Sequence, residues 1–336
     1  MSLAASSTPG APLLRVDNLR QWFGGGWLQG GGHLIRAVED VTFEMARGEV
    51  LGLVGESGSG KSTLGRAVLR ATEPTQGRII FDGLDITTLS RRRLRPLRAR
   101  MQMIFQDPFA SLNPRMTVGQ IIETPLKIQR RGLKCDEVTA RVAEALRTVG
   151  LDESHADRYP HEFSGGQRQR IGIARAFVME PTFLVADEPV SALDVSIQAQ
   201  VVNLLMEIKQ KLDLTILFIS HDLALVGHIC DRVAVMYLGR IVEIAEKTEL
   251  FARPRHPYTQ ALLASVPVAD PRAKRLTPAL DGDVPSPINP PSGCAFHTRC
   301  RYVMDRCRTE TPTLAQAGTQ HQVTCWLNDG TGRAQT

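Results

Sequence analysis

The sequence predicts an α/β fold followed by a small irregular extension, and three observations carry that expectation. Short apolar runs at residues 50–54, 101–105, 183–186 and 215–219 have the length of buried strands and alternate with helical patterns. A glycine-rich stretch, Gly55-Glu56-Ser57-Gly58-Ser59-Gly60-Lys61-Ser62-Thr63, joins the first of these runs to a helical segment at 64–70. Four of the six cysteines fall in the last 43 residues, behind a run of prolines. At 336 residues the chain exceeds what one compact core usually holds and suits one large domain plus a smaller one.

The glycine-rich stretch fits the phosphate-binding pattern of Gly, four residues, Gly, Lys, Ser/Thr, in the strand-to-helix setting that its chemistry needs. Gly55, Gly58 and Gly60 let successive backbone N–H groups turn inward on a polyphosphate. The helix that starts near Lys61 adds the positive end of its dipole. Within 57–63, Lys61 is placed to reach β- and γ-phosphates and the Ser62 hydroxyl to ligate Mg²⁺, with Ser57, Ser59 and Thr63 completing the cradle.

The remaining elements follow in chain order. Residues 1–12 carry Ser, Ala, Pro and Gly with little to bury, so disorder is expected there. Residues 13–19 read as a first strand, followed by Gln21-Trp22-Phe23 and a glycine-rich loop. An exposed aromatic at that point suits stacking on an adenine ring; Phe23 is the first choice and Trp22 the second, the other packing in the core. Residues 38–44 alternate in the manner of a strand. The arginines at 91, 92, 93, 95, 98 and 100 read as the solvated face of a short helix. A nucleic-acid patch is disfavoured because no stacking aromatics interleave with them. Asp136 opens a helix with Val138, Val142, Leu146 and Val149 on one face, ending at Gly150. Ser164-Gly165-Gly166-Gln167 heads a helix at 169–176 and offers a second helix N-terminus suited to phosphate.

The apolar run at 183–186 ends in Asp187-Glu188. In phosphate-loop enzymes such an Asp orients Mg²⁺ and its waters, and an adjacent Glu can polarise an attacking water. Ser191 to Asp194 caps a long amphipathic helix through Val201, Leu204, Leu205 and Ile208. The strand at 215–220 delivers His221 at its C-terminal end, the edge where open α/β sheets bind ligands, so His221 is a candidate for the γ-phosphate.

With these residues in view, the chain resembles an ABC-transporter ATPase subunit over roughly 13–267. The phosphate loop is 55–62, and Gln106 matches the Q-loop glutamine, a catalytic and Mg²⁺-ligating position. Ser164, Gly165, Gly166 and Gln167 match the signature that contacts ATP at the partner's site. Asp187 and Glu188 match Walker B and the catalytic glutamate, Asp194 the D-loop of dimer communication, and His221 the switch histidine. A narrower resemblance, to oligopeptide and dipeptide permease ATPases, rests on residues 106–115 (QDPFASLNPR), on 256–263 (HPYTQALL) and on the cysteine tail. It implies a nucleotide-binding domain with a β-subdomain and a helical signature subdomain near 107–172. It further implies a head-to-tail ATPase pair of two different chains, two transmembrane permease subunits and an extracytoplasmic solute-binding protein. The implied activity is ATP hydrolysis coupled to peptide uptake, with ATP and Mg²⁺ as cofactors. Some members of the branch carry nickel, glutathione or oligosaccharides instead. A soluble ABC ATPase acting on nucleic acid is a weaker reading, because the chain has neither a second cassette nor a long coiled-coil insertion.

The net charge of +5, from 40 Lys and Arg against 35 Asp and Glu, is too mild to select a partner. No apolar run approaches the roughly 20 residues of a membrane span, and the N-terminus lacks an export pattern. The chain is therefore expected to stay in the cytosol, and the family resemblance implies a peripheral place on the cytoplasmic face of the inner membrane. Residues 268–336 read as a proline-rich arm, with prolines at 271, 278, 285, 287, 290 and 291, and a cysteine extension. Cys294, Cys300, Cys307 and Cys325 are spaced C-x5-C-x6-C-x17-C, wider than structural zinc sites usually are. Four thiolates so spaced fit an iron–sulfur cluster better. Zinc, a disulfide pair and free thiols are the alternatives, and the family resemblance favours [4Fe-4S]. Between Cys294 and Cys325 only Phe296, Tyr302, Val303, Met304, Leu314 and Val323 offer much apolar surface, so a metal or cross-links are expected to order the segment. Cys135 and Cys230 read as ordinary thiols.

Overall fold

The computed structural model describes residues 11–24, 34–129, 132–265 and 282–328, with the side chains of Pro108 and Phe109 outside that description. Residues 1–10 of the segment expected to be disordered, and residues 268–281 of the proline arm, therefore lie outside the described residues. The strands are β1 (Leu14–Phe23), β2 (Ile35–Met45), β3 (Val50–Val54), β4 (Gln76–Phe81), β5 (Leu84–Asp85), β6 (Met101–Ile104), β7 (Phe183–Asp187), β8 (Thr215–Ile219), β9 (Arg232–Tyr237), β10 (Arg240–Glu246), β11 (Ala315–Gly318) and β12 (His321–Val323). The chain divides into two compact units, one built on Met45–Glu49 and Gly83–Ile219, the other on Leu14–Glu44, Val50–Asp82 and Ser220–Thr336.

In the first unit β6, β7 and β8 run parallel, with Met101 opposite Phe183 and Phe183 opposite Thr215. Every residue of β7 and β8 is buried, as strands covered on both faces must be, which explains the apolar runs Phe183–Ala186 and Ile216–Ile219 within them. The helices Val118–Gln129, Cys135–Thr148 and Gly165–Phe177 pack on one another, and Val138, Val142 and Leu146 form the buried stripe of the second. The arginine cluster lies on the helix Arg91–Arg98, where only Leu94 and Leu97 are buried. It is the solvated helix face that its sequence implies.

In the second unit β1 pairs antiparallel with β4, and a second set of strands runs in the order β11-β12-β10-β9-β3. The helix Lys61–Val68 follows β3. Gly52, inside β3, is explained by proximity, because a Cβ there would lie 2.9 Å from Cys230 Sγ and 2.7 Å from Val226 Cγ1. The first strand continues to Phe23 rather than stopping near 19, since Trp22 N–H donates to Thr75 Oγ1 and keeps the chain extended. The C-terminal extension is also more regular than its composition suggests. β12 adds to the edge of β10, with Glu243 opposite Val323.

That edge closes over a buried carboxylate. Glu243 and His321 are fully buried; Glu243 accepts His321 Nε2 at 2.7 Å and the N–H groups of Arg255 and His256 at 2.7 and 3.0 Å. His256 in turn accepts the Tyr258 N–H on Nδ1 at 3.1 Å and caps the helix Pro257–Ala264. Burial pushes the His256 imidazole down to about 3, below its ordinary 6.5, so the folded protein holds it neutral. A depressed histidine contributes stability above its unfolded value and loses it as pH falls through that value toward the folded one. Between pH 6.5 and about pH 5 the loss is about 2 kcal/mol. His256→Asn keeps a capping acceptor without the titration, so urea unfolding at pH 7 and pH 5 should show an acid-dependent loss smaller by about that amount. Equal losses in the two proteins would mean that His256 titrates normally.

Candidate functional site

The phosphate loop is shaped by backbone that only glycine adopts easily. Gly55, Gly58 and Gly60 have φ of 155°, 79° and 101°. A Cβ at Gly55 would overlap the Met236 carbonyl oxygen, and one at Gly60 the Ala37 carbonyl oxygen; Gly58 is open and needs glycine for its torsion alone. The Ser59 N–H closes a turn onto the Glu56 carbonyl at 3.2 Å, and the Ser59 carbonyl accepts the Gly239 N–H at 2.9 Å. Gly60 is the N-cap of the helix Lys61–Val68 and makes no side-chain cap bond. Lys61 is buried, with Nζ donating to the carbonyls of Gly55 at 2.7 Å and Glu56 at 2.8 Å and to Ser59 Oγ at 3.3 Å. Ser57 and Gly58 are exposed, while Ser62 and Thr63 are half-buried.

Two further residues of the same unit have the exposure expected of ligand contacts. Phe23 is 40% exposed, whereas Trp22 donates Nε1 to Glu39 at 2.6 Å and lies against the guanidinium groups of Arg20 and Arg36. Of the two aromatics, Phe23 is thus the one open to a stacking ligand. His221 is exposed next to Asp222, whose carboxylate caps the helix Leu223–Ile229 by accepting from Ala224 and Leu225.

The other unit brings Gln106 and Glu188 together, two positions 82 residues apart that the sequence singles out separately. Gln106 Nε2 donates to Glu188 Oε2 at 2.9 Å. Asp187 ends β7 with only 1% exposure. Glu188 follows at φ 44°, a left-handed conformation that costs a non-glycine residue energy and gathers at working sites. It is held there by its N–H on the Ile219 carbonyl at 3.0 Å and by Ser191, which donates Oγ to the Glu188 carbonyl at 3.2 Å.

Ser164 caps a helix that starts at Gly165, four residues before the sequence-predicted start at 169. Ser164 Oγ accepts the Gln167 N–H at 3.3 Å and Gln167 Oε1 accepts the Ser164 N–H at 3.0 Å, a reciprocal cap that leaves Ser164 exposed. Gly166 is required by packing, because a Cβ there would lie 2.7 Å from Ile197 Cγ2. Asp194 is exposed at the N-cap of the helix Val195–Leu212 and makes no side-chain cap bond, so the capping expected of Ser191 to Asp194 comes from backbone alone.

The cysteine expectation is corrected. Among the described residues no group of three or more His, Cys, Asp or Glu side chains is placed to hold a metal ion, so neither the [4Fe-4S] cluster nor zinc at Cys294, Cys300, Cys307 and Cys325 is supported. None of these cysteines is in a disulfide. Burial pushes the thiols up, Cys294 to about 11 and Cys325 to about 12. The extension is ordered by other means. Phe296 is 2% exposed and packs perpendicular to Tyr237 at 5.2 Å, with Tyr258 and His256 at 5.4 and 5.6 Å. Its apolar partners come from residues far back in the chain, so counting the extension's own apolar residues undervalues its burial.

The comparisons agree with this geometry. Residues 38–191 match the ABC transporter family and residues 242–307 match the family described as oligopeptide/dipeptide transporter, C-terminal region. A putative peptide import ATP-binding protein of Brucella ovis is 57% identical over 314 residues, 94% of this chain and 97% of the relative. The oligopeptide transport ATP-binding protein AppF of Bacillus subtilis is 54% identical over 296 residues, 87% of this chain and 90% of the relative. Among solved structures, an ATP-binding cassette dimer in a post-hydrolysis state with ADP and Pi has a TM-score of 0.63 at 27% identity, covering 70% of this chain and 98% of that one. CbiO1 of Clostridium perfringens, part of an ABC transporter complex, has a TM-score of 0.62 at 33% identity over 72% of this chain and 91% of its own. A phosphate loop, a capped glycine helix and a glutamine-bound carboxylate occur together on a chain that aligns almost end to end with peptide-import ATP-binding proteins. The chain belongs to the ABC-transporter ATP-binding family, in its oligopeptide/dipeptide branch.

Proposed function

We propose that this chain is the ATP-hydrolysing subunit of a membrane importer of di- and oligopeptides. The observation that carries the peptide assignment is the match over 242–307, which lies beyond the 38–191 match to the general ABC transporter family and is described for oligopeptide and dipeptide transporters. Among the described residues no helix is long and apolar enough to cross a membrane. The likeness to peptide-import ATP-binding proteins supports a peripheral subunit on the cytoplasmic face of the inner membrane, with permease subunits, a solute-binding protein and a second, different ATPase chain.

The residue roles follow from chemistry. The loop amides of 57–63 and buried Lys61 bind the triphosphate, and Phe23 stacks on adenine. Ser62 and Gln106 offer oxygen ligands and Asp187 a carboxylate, a hard donor set that suits Mg²⁺. Bound there, Mg²⁺ would neutralise charge on the phosphates. Glu188 takes the proton of the water that attacks the γ-phosphorus, the bond to the ADP oxygen breaks, and ADP and phosphate result. Gln106 holds the Glu188 carboxylate in place, and His221 contacts the γ-phosphate. Ser164 to Gln167 form a second helix N-terminus, which serves the ATP held by the partner chain. Two such chains therefore close head to tail on two ATP molecules, with Asp194 at their junction, and reopen when the γ-phosphate contacts are lost. Division at about 13–267 and 268–336 fits this scheme, although β12 ties the two segments together at β10.

Glu188→Gln should leave nucleotide affinity near normal and lower steady-state hydrolysis by about 10²- to 10⁴-fold, as loss of a general base does. The variant should also accumulate as an ATP-bound dimer in size-exclusion chromatography. Turnover near the wild-type rate in the assembled transporter would remove Glu188 from the mechanism.

Ser164 is expected to act in trans. In a mixed dimer carrying Ser164→Trp on this chain alone, hydrolysis should fail at the site whose phosphate loop belongs to the partner. Loss at this chain's own Lys61 site instead would contradict the head-to-tail arrangement.

A further inference from the structure

The C-terminal extension reaches the phosphate loop within a single compact unit. Glu56, the second residue of the loop, receives Arg299 Nη1 on Oε2 at 2.7 Å and Arg299 Nη2 on Oε1 at 3.2 Å. The Arg299 side chain is 5% exposed and that of Glu56 26%, so this forked pair is shielded from water far more than an ordinary surface pair. The guanidinium also lies 5.9 Å over the Tyr237 ring, and Phe296, three residues earlier, is the buried anchor that carries Arg299 to its place. The hydrogen bond to Glu56 is the largest influence holding Arg299 above its ordinary value, so the guanidinium stays charged.

Every polar group of Glu56 is engaged. Its N–H donates to the Tyr258 hydroxyl at 2.9 Å, and its carbonyl accepts Lys61 Nζ at 2.8 Å and the Ser59 N–H at 3.2 Å. A displacement of Glu56 is therefore passed directly to the lysine and to the turn that aims the loop amides. Tyr258 and Arg299 supply two of the three constraints on Glu56, and the loop itself supplies the third.

We propose that Arg299, from the C-terminal extension, and Tyr258, from the helix Pro257–Ala264, are positioning residues for nucleotide: by fixing Glu56 they hold Lys61 and the loop amides in the phosphate-binding arrangement, so that the extension, through Arg299, helps set the nucleotide affinity of the chain. The proposal rests on the reading that the phosphate loop binds ATP. It gives the extension a role in nucleotide binding itself.

The test is equilibrium binding of a fluorescent mant-ATP with Mg²⁺ to the full chain, at a temperature where circular dichroism finds every variant folded. Arg299→Gln and Glu56→Ala should each weaken binding about tenfold, the equivalent of about 1.4 kcal/mol. The double variant should be no weaker than the worse single one, because both remove the same interaction. Arg299→Lys, which keeps the charge but loses the fork, should recover part of the loss. A purely structural tie would lower the melting temperature and leave the affinity of the folded protein within about twofold, and that result overturns the proposal. Losses that multiply in the double variant overturn it as well. Lys61→Ala separates the two layers of argument. If it loses mant-ATP while Arg299→Gln keeps it, only the positioning role fails; if it binds as wild type, the nucleotide reading fails and the proposal falls with it.

Discussion

The constraint on which the rest of the structure depends is the left-handed backbone of the phosphate loop, threaded between carbonyl oxygens that leave no room for a side chain. Gly55 and Gly60 sit against Met236 and Ala37, so the loop's shape is set by strands that come from distant parts of the chain. Lys61 is then drawn back over the loop by the Gly55 and Glu56 carbonyls. A buried ammonium held by two carbonyls and a hydroxyl is already oriented, so a phosphate arriving there meets a prepared cation.

The same economy appears in the other unit, at Glu188. Its unfavourable torsion is sustained by hydrogen bonds from both sides, and its carboxylate is tied to Gln106. The C-terminal extension adds a second tie at the phosphate loop. Its aromatic packing on Tyr237 and Tyr258 supplies the order that its own composition lacks.

Much of the site is legible in the sequence because its chemistry is local. The phosphate loop, Ser164 to Gln167 and Asp187-Glu188 are each runs of consecutive residues, and each is bounded by a strand or helix whose apolar pattern is plain. Pairings across the chain are not legible in this way. Nothing near Arg299 announces Glu56, 243 positions away. The aromatic cluster at Phe296 likewise draws on residues from three segments. The metal expectation failed for this reason, since it treated the extension as a segment folding on its own resources. One signal was present: Glu243 interrupts the apolar run of β10, and a carboxylate in such a strand must find donors. His321 on the neighbouring β12 is one of them.

The central claim is that the 55–63 loop of this chain is its ATP site. Hydrogen–deuterium exchange of the full protein, with and without Mg²⁺ and ATP, tests it most directly. The account predicts strong protection of the amides of Gly58, Ser59, Gly60, Lys61 and Ser62 when nucleotide is added, with further protection of the peptide that holds Phe23. ATP binding that leaves the loop amides exchanging at their free rate would contradict it.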